Sequence, residues 1–129
     1  MRKPKLENLS NEQLAKQFKQ LSFQQAEDES SPKYYRRAYD RLNDVAAELR
    51  RRGREARCAL IPLLDFRDHS LMMSAVAQCR YNAACELLAV VPDRARATLE
   101  ALAKSVTQSQ MARARGTLEV LNNGTFKPT

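Results

Sequence analysis

The stretch YNAACELLAVVPDRARATLEALA, from Tyr81 to Ala103, decides the fold. Its apolar residues recur every three or four positions as far as Pro92, and the same spacing resumes about three residues later. Pro92 therefore ends one predicted helix, and Asp93 lies in the first turn of the next. Two amphipathic helices joined by so short a connection must lie antiparallel and side by side.

The N-terminal part of the chain predicts a pair of helices. Ser10 and Gln13 have the spacing of a capping box, which opens the first helix. Pro32 follows an N-cap serine at the start of the second, and Gly53 ends that helix by adopting a left-handed conformation. The apolar stripe of the second helix is predicted to comprise Tyr35, Tyr39, Leu42, Ala46 and Leu49.

The C-terminal part predicts further helices. The third runs from about Arg54 to Leu64 and is kinked by Pro62. Asp68 or Ser70 caps the fourth. The apolar stripes of the fourth and fifth helices are predicted to be Met72, Val76, Cys79, Ala83, Leu87 and Val90, and Ala95, Leu99, Leu102 and Val106.

These elements predict an all-α single domain of five or six helices with a HEAT-like α-α superhelix, a short solenoid, in its C-terminal part. Residues 1–9 are expected to form a mobile arm and residues 10–53 a helical pair. Residues 54–122 are expected to form the HEAT-like stack, which NNG ends, and residues 123–129 a tail. With only 3 Gly and 5 Pro in 129 residues, tight turns are few, and an all-β fold is disfavoured.

The segment ALIPLLDFRDHSLMMSAVA, from Ala59 to Ala77, resembles a HEAT repeat. Pro62 matches the kinked first helix of that repeat, and Asp65 or Asp68 matches its turn aspartate. Met73 stands near the place of the arginine that usually follows this aspartate.

More of the chain resembles a small bacterial family known only as a domain of unknown function. The resemblance is carried by ENLSNEQLAKQF, LIPLLD, LLAVVPDRARATLEALA and GTFKPT. It implies a helical, HEAT-like fold and brings no activity and no site residue with it.

The chain lacks the residue patterns of common active sites, so we expect no enzyme, no metal and no cofactor. His69, the only histidine, has two nearby aspartates, which make a poor zinc ligand set. Cys58 and His69 lie at opposite ends of one predicted helix, too far apart for a nucleophile and its base. The three glycines are scattered singly, which excludes a phosphate-binding loop. The acids Glu27, Asp28 and Glu29 are expected to be solvated.

Three cysteines, an odd number without CxxC spacing, favour free thiols in a reducing cytoplasm. The N-terminal sequence lacks the apolar region of a secretory signal, and apolar runs are too short to cross a membrane. We therefore expect a cytoplasmic protein that does not contact a membrane.

Basic residues outnumber acidic ones, and their excess is concentrated in one segment. The chain has 22 Lys and Arg against 15 Asp and Glu, a net charge of +7. Residues 33–57 contain nine of these bases and four of these acids, which leaves +5 in that segment. Within RRRGREAR, Glu55 is the only acid, so local ion pairs are not expected to neutralise the arginines.

Three roles of this basic segment remain open. It could be a solvated helix junction, a surface that binds an acidic protein, or a surface that binds the phosphates of nucleic acid. The candidate partner-binding residues are Arg37, Arg50, Arg51, Arg52, Arg54 and Arg57. The leading hypothesis is a non-catalytic protein-interaction module, since short solenoids present an extended binding surface. The alternative is a nucleic-acid-binding protein, although we expect only weak, sequence-independent binding. The poorly capped ends of a short solenoid also allow a homodimer.

Overall fold

The computed structural model describes residues 5–129, and this part of the chain is helical and contains no strand. The all-α prediction is thereby confirmed. The α-helices are α1 (Asn11–Glu27), α2 (Pro32–Arg52), α3 (Arg54–Arg57), α4 (Met73–Leu87), α5 (Pro92–Leu102) and α6 (Gln108–Asn122). Two 3-10 segments accompany them, Leu6–Asn8 and Cys58–Asp65.

The start of α1 follows the predicted capping box. The Ser10 side chain accepts a hydrogen bond from the backbone N–H of Gln13 at 3.1 Å, and the Gln13 side chain accepts one from the Ser10 N–H at 2.8 Å. Both backbone donors would otherwise lack a partner at the helix end. Leu14 and Phe18 follow on the buried face of α1 and are completely inaccessible to solvent.

Helix α2 begins at Pro32 and ends before Gly53, as predicted, and Leu42, Ala46 and Leu49 of the predicted stripe are buried, but its two tyrosines are not. Its buried residues are Ala38, Leu42, Val45, Ala46 and Leu49. The prediction for Tyr39 is wrong, because its side chain is 43% exposed. Ala38, rather than Tyr35 or Tyr39, is the residue that the first half of α2 buries. Gly53 has a φ of 105°, which other residues rarely adopt, so the chain can turn sharply there.

The predicted third helix is instead one α-turn, α3, followed by the 3-10 segment Cys58–Asp65. Pro62 explains the change. It has no N–H to bond the carbonyl four residues earlier, and its ring crowds that carbonyl, so a long α-helix cannot continue through it. Leu60, Leu63 and Leu64 are nevertheless buried in the tighter 3-10 form.

The capping prediction for α4 is wrong. Met72 is the N-cap residue and makes no side-chain cap bond. Asp68 instead accepts bonds from the Ser70 backbone N–H at 2.9 Å and the Ser70 hydroxyl at 2.6 Å, which closes a local turn. Met72 is therefore exposed, contrary to its place on the predicted stripe.

The role predicted for Pro92 also needs correction. Helix α4 ends at Leu87, well before the proline, and Pro92 is the first residue of α5. Leu88 and Val90 are buried between the two helices, so the apolar pattern continues although the α-helix does not. Val106 lies beyond the end of α5 and is 77% exposed, so its predicted place on the stripe of that helix is wrong.

Helix α4 lies at the centre of the molecule. It packs against α1, the 3-10 segment Cys58–Asp65, α5 and α6, while α1 also packs on α2 and α5 on α6. Consecutive helices thus form neighbouring pairs, an arrangement compatible with the predicted HEAT-like superhelix. One continuous apolar core joins all of these elements, from Leu14 in α1 to Ala114 in α6.

Candidate interaction surface

The five arginines Arg50, Arg51, Arg52, Arg54 and Arg57 are called here the arginine cluster. Arg52 is only 18% exposed, because its guanidinium is held inside the fold. It donates to the Glu48 carboxylate at 2.7 Å, to Asn11 Oδ1 at 3.1 Å and to the Leu6 carbonyl at 3.0 Å. Arg52 thereby ties α2 to α1 and to the 3-10 turn Leu6–Asn8.

That turn belongs to the predicted N-terminal arm. Leu6 of this turn and Leu9, the residue that follows it, pack against the apolar core. The Arg52 guanidinium donates a hydrogen bond to the Leu6 carbonyl. Residues 1–4 of the predicted arm lie outside the described residues.

Arg54 and Arg57 are also engaged within the molecule. Arg54 donates to the Val90 carbonyl at 2.8 Å, and Arg57 donates to the Glu86 carbonyl at 2.7 Å and to the Thr129 oxygen at 3.1 Å. The last carbonyls of α4 lack intrahelical partners, so Arg57 acts as a cap for this helix at Glu86, while Arg54 bonds the connection to α5. The Nε of Arg57 is buried without an acceptor within residues 5–129.

Arg50 and Arg51 are more exposed but still lie beside carboxylates. Arg51 donates to Glu48 at 3.0 Å, and Arg50 lies 3.9 Å from the Glu86 carboxylate. Hydrogen bonds from Arg51 and then Arg52 lower the pKa of Glu48 to about 2. Glu48 of α2 and Glu86 of α4 therefore offset part of the charge of the cluster, and Glu86 is a partner distant in sequence.

The N-terminal half of α2 presents a different surface, which we call the α2 basic face: Lys33, Tyr34, Arg37 and Arg41. All four side chains are exposed. Tyr34, Arg37 and Arg41 are spaced by three and four residues, which places them on one side of the helix. Arg37 and Arg41 have no hydrogen-bond or ion-pair partner in the part of the chain that the structure describes. Of the six predicted partner-binding residues, Arg37 is therefore the one that is free.

Sequence reasoning missed most of this face. Tyr34 is 50% exposed and stands one turn from Arg37. The signal was present in YYRRAYDR, but the spacing of Tyr35 and Tyr39 with Leu42 suggested that the tyrosines belonged to the core.

A groove of about 740 Å³ runs beside the α2 basic face, between α1, α2 and the N-terminal 3-10 turn. Leu6, Leu9, Leu21 and Val45 form its apolar floor. Its polar rim consists of Gln13, Lys16, Gln17, Gln20, Gln24, Arg41 and Asp44. Arg41 thus belongs both to the groove and to the basic face, which makes the two a continuous surface.

A buried polar network crosses the interface of α1, α4 and α6. Asn82 donates to Ser22 Oγ at 3.0 Å and to Gln25 Oε1 at 2.9 Å. Gln78 donates to Asn82 at 2.9 Å, and Gln110 donates to Gln78 at 3.0 Å. Each buried amide thereby finds partners in a low-dielectric interior, where an unpaired polar group would be costly.

Arg113 closes this network at the protein surface. It donates to Gln78 Oε1 at 2.6 Å and to Glu29 at 3.3 Å, and its guanidinium lies 5.6 Å from the centre of the Tyr35 ring. Tyr35 in turn accepts a hydrogen bond from Gln25 at 3.0 Å. Tyr35 is therefore half-buried beside a polar network, and the sequence pattern carried no signal for this network.

The titratable groups offer little reactivity. Burial raises the pKa of the Cys79 thiol to about 12 and that of the Cys85 thiol to about 11, so both are protonated at neutral pH and are weak nucleophiles. His69 is exposed. Within residues 5–129, His, Cys, Asp and Glu side chains form no group of three that could hold a metal ion. No helix of these residues is both long and apolar enough to span a membrane.

The chain belongs to a family described as a domain of unknown function, DUF2019, whose model matches residues 12–122. It is similar to a protein of known crystal structure, RPA1889 from Rhodopseudomonas palustris CGA009, with 29% sequence identity and a TM-score of 0.86. The similarity covers 98% of this chain and 100% of that one. No curated protein matches the chain.

Proposed function

We propose that the protein is a non-catalytic interaction module that binds an acidic protein partner through the α2 basic face and the adjoining groove. The observation that supports this most strongly is the pair Arg37 and Arg41, two exposed cations without a partner in residues 5–129, standing beside exposed Tyr34.

Tyrosine and arginine are the residue types that most often carry binding energy at protein interfaces. A guanidinium can bond a partner carboxylate through two N–H groups at once, and Arg37 and Arg41 bond no acceptor within residues 5–129. The apolar floor of the groove would add hydrophobic burial next to these ionic contacts. All of these residues lie on α1 and α2 or beside the turn that Arg52 anchors, so binding needs little ordering of the backbone.

The alternative is a nucleic-acid-binding protein that grips phosphates with the arginine cluster. Arg52, Arg54 and Arg57 speak against it, because their guanidinium groups already bond acceptors within the fold. A true grip on three to five phosphates would give a slope of roughly −3 to −5 for log affinity against log salt. We expect weaker binding that disappears at physiological salt, as for any basic patch.

The proposal includes a cytoplasmic location, which agrees with three free cysteines, Cys58, Cys79 and Cys85. It also leaves room for a homodimer through an end helix. Light scattering after size exclusion would measure that oligomeric state.

The test is capture of the partner from the native host, followed by binding measurements on the purified partner at 150 mM salt, about physiological strength. The double variant Arg37→Ser, Arg41→Ser should weaken this binding at least about tenfold. A matched control, Arg51→Ser with Arg96→Ser, removes the same charge elsewhere and should bind normally.

Equal binding by both double variants would refute the proposed surface. Capture of nucleic acid that survives 150 mM salt and depends on Arg51 and Arg54 would instead favour the alternative. Circular dichroism of each variant would check that the helices are retained.

A further inference from the structure

A small cavity of about 220 Å³ lies where the 3-10 segment Cys58–Asp65 meets α4 and α5, away from the α2 basic face. Its walls include the small side chains of Ala97, Thr98 and Ala101. Two arginines, Arg80 from α4 and Arg94 from α5, line the same cavity.

The orientation of Arg80 is set by one hydrogen bond. Its Nε donates to the Leu64 carbonyl at 3.0 Å, and the same carbonyl accepts from the Thr98 hydroxyl at 3.4 Å. With Nε held, the two terminal nitrogens of Arg80 have no acceptor within residues 5–129. A planar pair of N–H donors at a half-buried position is thus open to solvent and free to bind an added acceptor.

The surroundings of Arg80 are rich in positive charge. Arg94 lies 3.9 Å from the Asp65 carboxylate, a loose ion pair without a hydrogen bond, and within residues 5–129 Asp65 is the only acid that lines the cavity. Burial first, and then the charge of Arg67, lowers the pKa of Arg80, while Asp65 opposes that shift. An anion bound between these groups would offset the cost of desolvating Arg80 and would reduce its repulsion by the neighbouring arginines.

We propose that the pocket formed by Arg80 and Arg94 binds a small oxyanion, a phosphate or a carboxylate group. Arg80 would bind two of its oxygens through the terminal nitrogens, and Arg94 would approach from the opposite helix. The alanine and threonine walls leave room for a compact group and offer little apolar surface for a larger one.

The test measures thermal unfolding and isothermal titration with inorganic phosphate, with acetate and with sodium chloride at matched ionic strength. Phosphate or acetate should raise the unfolding temperature beyond chloride, because a ligand of the folded state stabilises it by mass action. Binding of phosphate alone would assign a phosphoryl group, whereas equal binding of acetate would assign a carboxylate, and either result supports the site.

Two variants locate the binding. Arg80→Lys keeps the charge and loses the paired donors, and Arg94→Ala changes an exposed residue that the fold tolerates. Each should weaken anion binding about tenfold, whereas Arg36→Ala, with the same loss of charge on α2, should leave it unchanged. Anion effects no larger than those of chloride, or binding that survives both variants, would overturn the proposal.

Discussion

The two ends of the basic segment formed by residues 33–57 carry similar charge but use it differently. At the C-terminal end, Arg52 and Arg57 bond carbonyl and amide oxygens within the fold. At the N-terminal end, Arg37 and Arg41 are exposed and have no partner among the described residues. The difference shows that a count of arginines does not measure a binding surface.

The cause of the difference is the supply of acceptors. Helix ends leave carbonyl groups without intrahelical partners, and the sharp turn at Gly53 brings α3 to the end of α4. The first turns of α2 follow closely on the end of α1 at Glu27, but Arg37 and Arg41 bond none of its carbonyls within residues 5–129. Guanidinium groups near Gly53 therefore stabilise the fold, while those near Lys33 remain available to a partner.

The largest effect that tests this comparison is expected for Arg52→Ala. We expect a loss of about 2–3 kcal/mol in the free energy of unfolding, since three acceptors lose a charged donor in a largely buried place. Urea unfolding followed by circular dichroism would measure it. Arg51→Ala, a change at the exposed neighbour on the same carboxylate, should cost much less, because solvent screens an exposed ion pair. An equal loss in the free energy of unfolding for both variants would contradict the distinction between arginines bonded within the fold and exposed arginines.

A smaller effect is expected in acid and depends on Glu48. Its pKa is about 2 in the folded protein, below the usual 4.5, so the unfolded chain takes up a proton first as the pH falls. The stability that Glu48 contributes is therefore complete above about pH 4.5 and is lost progressively toward pH 2. Unfolding of the wild type and of Glu48→Gln at a series of pH values would show the two stabilities converging in this window. A constant difference across the window would contradict the assigned ion pairs.

The smallest effect is expected for the exposed pair Arg36 and Asp40 on α2. The two side chains are 3.5 Å apart and are 78% and 63% exposed, so water and salt screen their attraction. A double-mutant cycle with alanine should give a coupling of about 0.3–0.5 kcal/mol, as for other helix pairs at this spacing. A coupling above about 1 kcal/mol would mean that charged side chains in the N-terminal half of α2 also stabilise the folded state.

Features that depend on a few neighbouring residues were predictable. The capping box of Ser10 and Gln13 and the positive φ of Gly53 follow from local chemistry that any surrounding fold would leave in place. Features were not predictable where the same residues could form two different local structures. Asp68 could cap a helix or close a turn with Ser70, and Pro92 could end α4 or begin α5.

The candidate interaction surface was predictable only in part. The sequence placed the positive charge within residues 33–57 and included Arg37 among its candidates. It could not show that Glu86 and Val90, each 36 residues further along the chain, would meet Arg50 and Arg54. It also gave no sign of the oxyanion pocket, because Arg80 and Arg94 come together only through packing of α4 on α5.

The sequence by itself determined the class of fold, the helix starts with strong caps, and the net charge, since these depend on composition and on contacts a few residues apart. The tertiary structure decided which arginine side chains have a bonding partner within the described residues and which do not. A guanidinium bonds whatever acceptor the fold brings near it, and neither the carbonyls at the end of α4 nor the partners of Asn82 are neighbours in sequence. Only packing could therefore separate the arginines that hold the protein together from those left to bind a partner.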